Sequence, residues 1–185
     1  MKLRFSITLI VAVLFLNITS AQEKVESAKT IMNNAFSKAK VENKNVFVVF
    51  SASWCGWCKK MEATMKAPSI ERFFNENYVI EKLIVLEQKS KKHVENQGSE
   101  EMLNKYGGEK QGIPYYLIFD SDANLLADSK MLKGKEILKN EGTNIGCPGT
   151  DYEIDAFLYK LKETSSLTDE ELILIAKQFK LNNSN

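Results

Sequence analysis

Hydrophobic residues recur every three to four positions over residues 23–42 and in two segments near the C-terminal end of the chain. This period predicts amphipathic helices. The two C-terminal helices are expected to begin at Thr150 and Thr168, because each threonine precedes a glutamate by three residues, which is the spacing of a capping box. Further helices are predicted over residues 55–66, 69–75 and 99–106, with Ser69 as the N-cap of the second.

Apolar runs rich in β-forming residues predict strands at residues 46–50, 79–86, 115–119 and 125–127. The run at 46–50 is apolar at every position, which is typical of a strand buried on both faces of a sheet. The last two runs flank a turn-rich stretch and therefore predict a hairpin. Strands and helices in this order predict a small mixed sheet that is packed between helices.

Residues 87–98 are polar, and we predict that they form a surface loop. This segment contains His93 among three lysines. The lysines indicate a solvated face, and the histidine is expected to be an ordinary exposed residue.

The first 21 residues have the layout of a cleaved export signal. Lys2 and Arg4 precede a largely apolar run over residues 7–16, and the small residue Ala21 ends the segment. A membrane anchor is the alternative, but the run is shorter than the roughly 20 residues that span a bilayer. We therefore expect a mature chain of residues 22–185, periplasmic or secreted, with no membrane span after cleavage.

Removal of that segment would change the formal net charge from +1 to −1, because the segment holds two basic residues and no acidic ones. Near-neutral charge argues against nucleic acid as a partner. The length of the remaining chain is sufficient for one domain with a substantial core.

Cysteine spacing gives the strongest chemical signal. Cys55 and Cys58 lie three residues apart, and Cys147 lies alone. A disulfide across so short a ring constrains little of the unfolded chain and therefore stabilises the fold little. We expect its value to be chemical, with a structural bridge or a metal site as alternatives. Structural zinc usually needs four ligands, and the chain offers only Cys147 and His93 beyond the pair.

The position of the pair favours thiol chemistry. It follows a buried strand and opens a predicted helix, so unpaired N–H groups at the helix start face the sulfur of Cys55 and favour its thiolate. Cys58 lies one helical turn later, is expected to be better buried, and can displace whatever Cys55 captures. Gly56 is expected to let the backbone fit the small ring. Trp54 and Trp57 flank the pair and can shield it or touch a substrate.

Gly112-Ile113-Pro114 is the second signal, and it directly precedes the strand at 115–119. A proline that opens a strand is allowed but restrictive. If its peptide bond is cis, the backbone of Ile113 can face the two sulfurs and pair with an extended substrate segment.

Together these motifs resemble the thioredoxin superfamily. Residues 47–59 (Phe-Val-Val-Phe-Ser-Ala-Ser-Trp-Cys-Gly-Trp-Cys-Lys) resemble its strand and active-site helix, and residues 112–114 resemble its cis-proline turn. The most similar group is the exported bacterial thioredoxin-like proteins with a Trp-Cys-x-x-Cys-Lys-Lys-Met motif, which here ends at Met61. The resemblance covers about residues 24–163 and leaves 164–185 as a C-terminal helical extension.

The resemblance implies an α/β, thioredoxin-like fold: a central mixed sheet of four to five strands flanked by helices, with an extra C-terminal helix. It also implies that Cys55 is the nucleophile, that Cys58 is the resolving cysteine and that Pro114 is cis. Neither a metal nor an organic cofactor is expected, because the Cys55–Cys58 disulfide would itself be the redox group.

Two positions depart from thioredoxins proper. Those proteins carry a buried acid six residues before the first cysteine, where this chain has Val49, and Gly-Pro between the cysteines, where it has Gly56-Trp57. Both differences bear on the redox potential and on the direction of electron flow. Without the acid, deprotonation of Cys58 is expected to be slower or to go through water.

Cys147 lies in a Gly-Cys-Pro-Gly loop, and the corresponding loop of the thioredoxin fold lies beside the active site. This cysteine is either a third redox participant or a simple replacement of an aromatic residue, and its burial distinguishes the two. Trp57 and Tyr115 are candidates for shaping the substrate groove, although partly buried aromatic residues often serve packing alone.

Two functions follow from the sequence. The first is a thiol–disulfide oxidoreductase, either a protein-disulfide reductase or an isomerase-like enzyme, and we expect it to reduce protein disulfides outside the cytoplasm. A second redox protein would supply or accept the electrons. The second is a module that binds unfolded or cysteine-bearing clients and has little redox turnover.

Overall fold

The computed structural model describes residues 25–131 and 142–183. Within them the elements are α1 (Ala28–Glu42), β1 (Asn45–Ser51), α2 (Gly56–Met65), α3 (Glu71–Asn77), β2 (Tyr78–Ile84), α4 (Ser99–Lys105), β3 (Tyr115–Phe119), β4 (Leu125–Asp128), α5 (Asp151–Glu163) and α6 (Asp169–Lys180). Turns of 3₁₀ helix occupy Lys89–Val94 and Leu181–Asn183. The predicted export signal at residues 1–21 lies outside the described residues.

The strands of the described residues form one mixed sheet in the order β2-β1-β3-β4. β1 pairs in parallel with β2 and antiparallel with β3, and β3 pairs antiparallel with β4 in the predicted hairpin. The mixed sheet flanked by helices that the sequence predicts is therefore confirmed, with four strands. β1 lies inside the sheet, which places the loop that follows it between two neighbouring strands.

Side chains of β1 alternate between two apolar cores, because successive residues of a strand point to opposite faces. Val46, Val48 and Phe50 pack with α1 and α4 on one face, whereas Phe47 packs with α2, α3, α5 and α6 on the other. All four side chains are fully buried. The continuous apolar run at 46–50 thus arises because helices cover both faces of the sheet.

The N-terminal ends of the last two helices follow the predicted capping chemistry. The hydroxyls of Thr150 and Thr168 accept hydrogen bonds from the backbone of the residue three positions later, and the glutamate at that position closes a capping box in each case. The predicted cap at Ser69 is wrong. α3 begins one residue after Ile70, and the hydroxyl of Ser69 instead contacts the side chain of Gln178 at 2.9 Å.

Residues 87–98 are not simply a solvated loop, so this prediction was wrong in part. Glu87 and Asn96 are buried, although His93 is exposed as expected. The side chain of Asn96 accepts a hydrogen bond from the backbone of Ile84 and donates one to the carbonyl of Glu26. Asn96 is buried because it satisfies backbone groups where β2 ends, a partnership that polarity alone does not reveal.

The expected C-terminal helix extends the core on the side of α5. Leu172, Ile175 and Phe179 of α6 are buried, and the ring of Phe179 lies 5.1 Å from that of Phe157 in α5. The 3₁₀ turn that follows α6 brings Asn182 against α2. Residues 164–183 therefore pack on the domain, and Asn182 lies next to α2, the helix that begins at the cysteine pair.

Candidate active site

Cys55 and Cys58 are joined by a disulfide, with their Cα atoms 5.3 Å apart. Cys55 is the N-cap of α2, and its sulfur accepts a hydrogen bond of 3.1 Å from the backbone N–H of Cys58. This N–H is one of the donors that a helix start leaves unsatisfied. The fold therefore directs a hydrogen-bond donor at the sulfur that the sequence identifies as the attacking one.

The two cysteines are equally buried, so the expectation that Cys58 is better buried is wrong for the disulfide form. Each retains 3% of its surface, and Ala52 and Ile113 pack against the pair. The disulfide holds the two sulfurs together beneath the same neighbours, which removes any difference in exposure. A substrate must therefore approach along the surface formed by the residues that surround the pair.

Gly56 has no steric role that the structure reveals. A methyl group built on its Cα would meet no atom within 4 Å, and its backbone does not adopt a left-handed conformation. The prediction that the small ring needs a glycine here is therefore not supported.

Trp54 and Trp57 form the exposed aromatic rim of the pair, with 51% and 56% of their surfaces accessible. The indole N–H of Trp54 donates to the carbonyl of Leu86 at 2.8 Å, which fixes this ring against the segment that follows β2. The ammonium group of Lys60 lies 5.0 Å from the ring centre of Trp57, within the range of a cation–π contact. Both rings are held in place and present large apolar surfaces to solvent.

The peptide bond between Ile113 and Pro114 is cis, as the resemblance implies. The carbonyl oxygen of Ile113 lies 3.5 Å from the sulfur of Cys55. A disulfide sulfur carries no proton, so this is a van der Waals approach here, whereas a Cys55 thiol could donate to the same oxygen. The Ile113-Pro114 turn and the cysteine pair, which are distant in the sequence, thus meet at the sulfur of Cys55.

Asn144 holds this turn in place, and no sequence pattern marked it. Its side-chain N–H₂ group lies 2.9 Å from the carbonyl oxygen of Pro114 and 3.2 Å from that of Gly112. Its side-chain oxygen accepts hydrogen bonds from the hydroxyl of Ser129 and the backbone of Gly146. One amide therefore ties the proline turn to the end of β4 and to the loop that contains Cys147.

Glu87 clamps the loop between β1 and Cys55, and it too lacks a local sequence signal. Its carboxylate accepts hydrogen bonds from both the backbone N–H and the hydroxyl of Ser53, two residues before Cys55. Burial alone would raise the pKa of Glu87, but these hydrogen bonds and the charge of Lys91 lower it below its ordinary value. An ionised Glu87 therefore holds in place the loop that leads from β1 to Cys55.

Cys147 is buried, and its sulfur accepts a hydrogen bond of 3.3 Å from the side chain of Asn182. Burial raises the pKa of its thiol to about 12, against a smaller opposite effect of Lys60. By the burial criterion the structure favours a packing role for Cys147 over a redox role.

Tyr115 does not line the substrate groove as expected, because it is fully buried and its hydroxyl donates to the carbonyl of Tyr106.

A cavity of about 450 Å³ reaches Cys58 from the side of β2. Val49, at the position where thioredoxins have an acid, lines this cavity together with Glu62 and Lys82. Hydrogen bonds from Lys66 and Lys82 lower the pKa of Glu62, so its carboxylate is ionised at neutral pH. The cavity gives Cys58 a route to solvent despite its burial.

Across residues 25–131 and 142–183, no group of three histidine, cysteine or acidic side chains is arranged to hold a metal ion. No helix in this part of the chain has the length and hydropathy needed to cross a membrane.

A family model described as thioredoxin-like matches residues 27–121, a span that includes both cysteines of the pair and the Ile113-Pro114 turn. No curated protein matches the chain significantly.

Three solved structures illustrate the likeness. A disulphide isomerase from Xylella fastidiosa Temecula1 is 20% identical and has a TM-score of 0.46, with 61% of this chain and 79% of that chain covered. A DsbH oxidoreductase is 21% identical with a TM-score of 0.45, over 78% of this chain and 85% of that one. The reduced C-terminal domain of DsbD from Neisseria meningitidis is 24% identical with a TM-score of 0.40, over 55% and 82% respectively.

Proposed function

Because the chain belongs to the thioredoxin-like family, we propose that it is a thiol–disulfide oxidoreductase that reduces disulfides of proteins through Cys55 and Cys58. The observation that carries this proposal is the position of the Cys55 sulfur. It lies at the start of α2, 3.1 Å from the N–H of Cys58 and 3.5 Å from the carbonyl of Ile113. A donor that can stabilise a thiolate thus lies beside a backbone edge that can align a substrate.

In the first step the thiolate of Cys55 attacks one sulfur of a substrate disulfide. A bond forms between that sulfur and Cys55, the substrate S–S bond breaks, and the leaving thiolate takes up a proton from water. The N–H of Cys58 stabilises the negative charge on Cys55 before the attack, because charge-assisted hydrogen bonds are stronger than neutral ones.

In the second step the thiolate of Cys58 attacks the sulfur of Cys55. The Cys55–Cys58 bond forms, the mixed disulfide breaks, and the second substrate sulfur leaves as a thiol after protonation. Two electrons have then moved from the protein to the substrate. Since Val49 supplies no acid, we propose that the proton of Cys58 passes to water in the cavity that Val49 and Glu62 line.

A second redox protein with a pair of thiols would return the disulfide to the dithiol form. The two sulfurs carry the electrons in both half-reactions, so the proposed cycle needs no metal and no organic cofactor. The exposed rings of Trp54 and Trp57 beside the pair, together with the backbone of Ile113, suit a polypeptide rather than a small disulfide as the substrate.

We also propose that the protein acts in the periplasm or outside the cell, on the basis of the export-signal pattern in residues 1–21. N-terminal sequencing of the protein recovered from fractionated cells tests this directly. A mature protein that begins at Gln22 is expected in the extracytoplasmic fraction. An uncleaved chain in the cytoplasm would contradict the proposal.

Reduction of insulin by dithiothreitol, with and without the protein, tests the activity. The wild-type protein should accelerate the reaction, and Cys55→Ser and Cys58→Ser should each abolish the acceleration. A Cys147→Ser variant is the matched control, because it removes a cysteine outside the pair and should keep the acceleration.

The exposed aromatic rim also favours a second function, the binding of unfolded clients with little redox turnover. That function predicts that the wild-type protein reduces insulin no faster than free dithiol does. It also predicts that Cys55→Ser and Cys58→Ser bind clients as tightly as the wild type.

A further inference from the structure

The 3₁₀ turn Leu181–Asn183 is attached to the active-site helix through Asn182, whose side chain is buried. Asn182 accepts hydrogen bonds from the hydroxyl of Thr64 at its side-chain oxygen and from the ammonium of Lys60 at its backbone carbonyl. Its side-chain N–H₂ group donates to the sulfur of Cys147 and to the carbonyl of Pro148. Asn182 therefore joins α2, the Cys147 loop and the C-terminal turn into one unit.

Lys60 connects this turn to the aromatic rim. The same ammonium that donates to the carbonyl of Asn182, at 2.6 Å, lies 5.0 Å from the ring centre of Trp57. The C-terminal turn and the ring of Trp57 thus share one cation, which fixes their relative positions.

Asn183, the residue after Asn182, lies on the side of this unit that faces the proline turn. Asn183, which is exposed, lines a cavity of about 340 Å³ together with Trp57, Pro114, Gly146 and Cys147. This volume is at the lower end of the range for ligand pockets, which suits one side chain or a short stretch of a polypeptide. Asn183 therefore forms one wall of a cavity whose other walls include the proline turn, the ring of Trp57 and the loop around Cys147.

The charged side chain that lines this cavity is Glu153, and the ammonium of Lys60 lies beside the ring of Trp57. The carboxylate of Glu153 accepts hydrogen bonds from the backbone of Gly149 and Thr150. Lys60 is held by the carbonyl of Asn182 and by Trp57, as described above. An uncharged side chain is therefore the occupant that the cavity fits best.

On the premise that the proposed disulfide exchange is correct, we propose that Asn183 is a specificity residue for polypeptide disulfides. The cavity that Asn183 lines receives an uncharged side chain that lies next to the attacked cystine. Asn182 holds Asn183 in position through its hydrogen bonds to Thr64 and Lys60 of α2. Small disulfides have no such neighbouring residue and therefore do not use this cavity.

The test compares Asn183→Trp, which fills the cavity from its C-terminal wall, with Leu181→Trp. Leu181 is exposed on the same turn but does not line the cavity, so it provides a matched control. The substrates are insulin and bis(2-hydroxyethyl) disulfide, and excess dithiothreitol returns the protein to its dithiol form. The uncatalysed reduction by dithiothreitol is subtracted, and circular dichroism verifies that each variant is folded.

For insulin, Asn183→Trp is expected to raise KM at least about tenfold with little change in kcat, because one well-fitted side chain in a pocket is worth that much. For the small disulfide, kcat/KM should change far less. Leu181→Trp should match the wild type with both substrates. Equal KM values for insulin in all three proteins, or an equal rise in both tryptophan variants, would overturn the proposal.

A second variant keeps the test decisive if the tryptophan perturbs folding. Asn183→Lys adds a positive charge to the cavity and should make the protein prefer cystine peptides with Glu beside the cystine over peptides with Lys there. An unchanged preference contradicts a role in specificity. Failure of the wild type to reduce either disulfide would instead reject the proposed activity itself, so the two failures are distinguishable.

Discussion

The side-chain amide of Asn144 lies 2.9 Å from the carbonyl oxygen of Pro114, the residue that forms the cis peptide bond beside Cys55. The same group lies within 3.4 Å of the carbonyl oxygens of Gly112 and Gln111. The proline turn is therefore held by a residue thirty positions further along the chain, on the loop that leads to Cys147.

Asn144→Ala should impair the protein in two measurable ways. Loss of the amide leaves carbonyl groups of the turn without a donor, so the free energy of unfolding should fall by about 1–3 kcal/mol. The backbone of Ile113 should also lose its fixed position, which predicts a higher KM for insulin with a smaller effect on kcat. Urea unfolding and steady-state kinetics measure the two effects.

Thr143→Ala is the matched control for that experiment, because Thr143 is exposed and the substitution leaves in place its backbone carbonyl, which accepts a hydrogen bond from Met131. It should keep both the stability and the KM of the wild type. If Asn144→Ala also keeps the wild-type KM, the amide has no role in positioning the proline turn.

Glu87 predicts a specific loss of stability in acid. Its pKa lies below its ordinary value of 4.5 in the folded protein, so the unfolded chain binds the proton more tightly. The stabilisation from the ionised carboxylate is therefore complete above pH 4.5 and is lost as the pH falls through the lowered pKa. Urea unfolding between pH 7 and pH 3 should show a smaller pH dependence for Glu87→Gln than for the wild type.

The control for Glu87 is Glu109→Gln, which changes an exposed carboxylate that lies 3.7 Å from the ammonium of Lys110. That variant should keep the pH dependence of the wild type. An identical acid dependence in Glu87→Gln and the wild type would show that the carboxylate does not clamp the Ser53 loop.

Cys147 should be unreactive in the folded protein. With a thiol pKa of about 12, its thiolate fraction at pH 8 is on the order of 10⁻⁴, and the thiolate is the species that alkylates. Brief treatment of the reduced protein with iodoacetamide should therefore modify Cys55 and leave Cys147 intact. After unfolding in guanidinium chloride Cys147 should react fully, and mass spectrometry of peptides distinguishes the sites.

Rapid alkylation of Cys147 in the folded protein would contradict this assignment of a packing role. It would favour the alternative in which this cysteine takes part in redox exchange next to the pair.

Sequence reasoning succeeded where the determining interactions are local. The buried strand β1 was recognisable from its continuous apolar run, and the capping boxes at Thr150 and Thr168 were recognisable from a three-residue spacing. The cysteine pair was recognisable because a strand, a short loop and a helix start lie next to one another in the sequence.

Sequence reasoning failed where a polar residue is defined by distant partners. Glu87 and Ser53 are 34 residues apart, and Asn182 reaches Thr64 across 118 residues. A lone Asn or Glu in a loop carries no periodicity, so its local pattern indicates only a solvated surface. Equal burial of Cys55 and Cys58 is likewise not evident from the local sequence, because it depends on the side chain of Ile113 from another part of the chain.

The most direct test of the whole account is to trap the mixed disulfide on the Cys58→Ser variant. The reduced variant is mixed with an oxidised cystine peptide and quenched with acid, and the adduct is mapped by mass spectrometry. A covalent adduct on Cys55 is predicted, and it should be absent in Cys55→Ser and retained when Cys147→Ser is added to the Cys58→Ser background. An adduct that maps to Cys147, or the absence of any adduct on Cys55, would contradict the account.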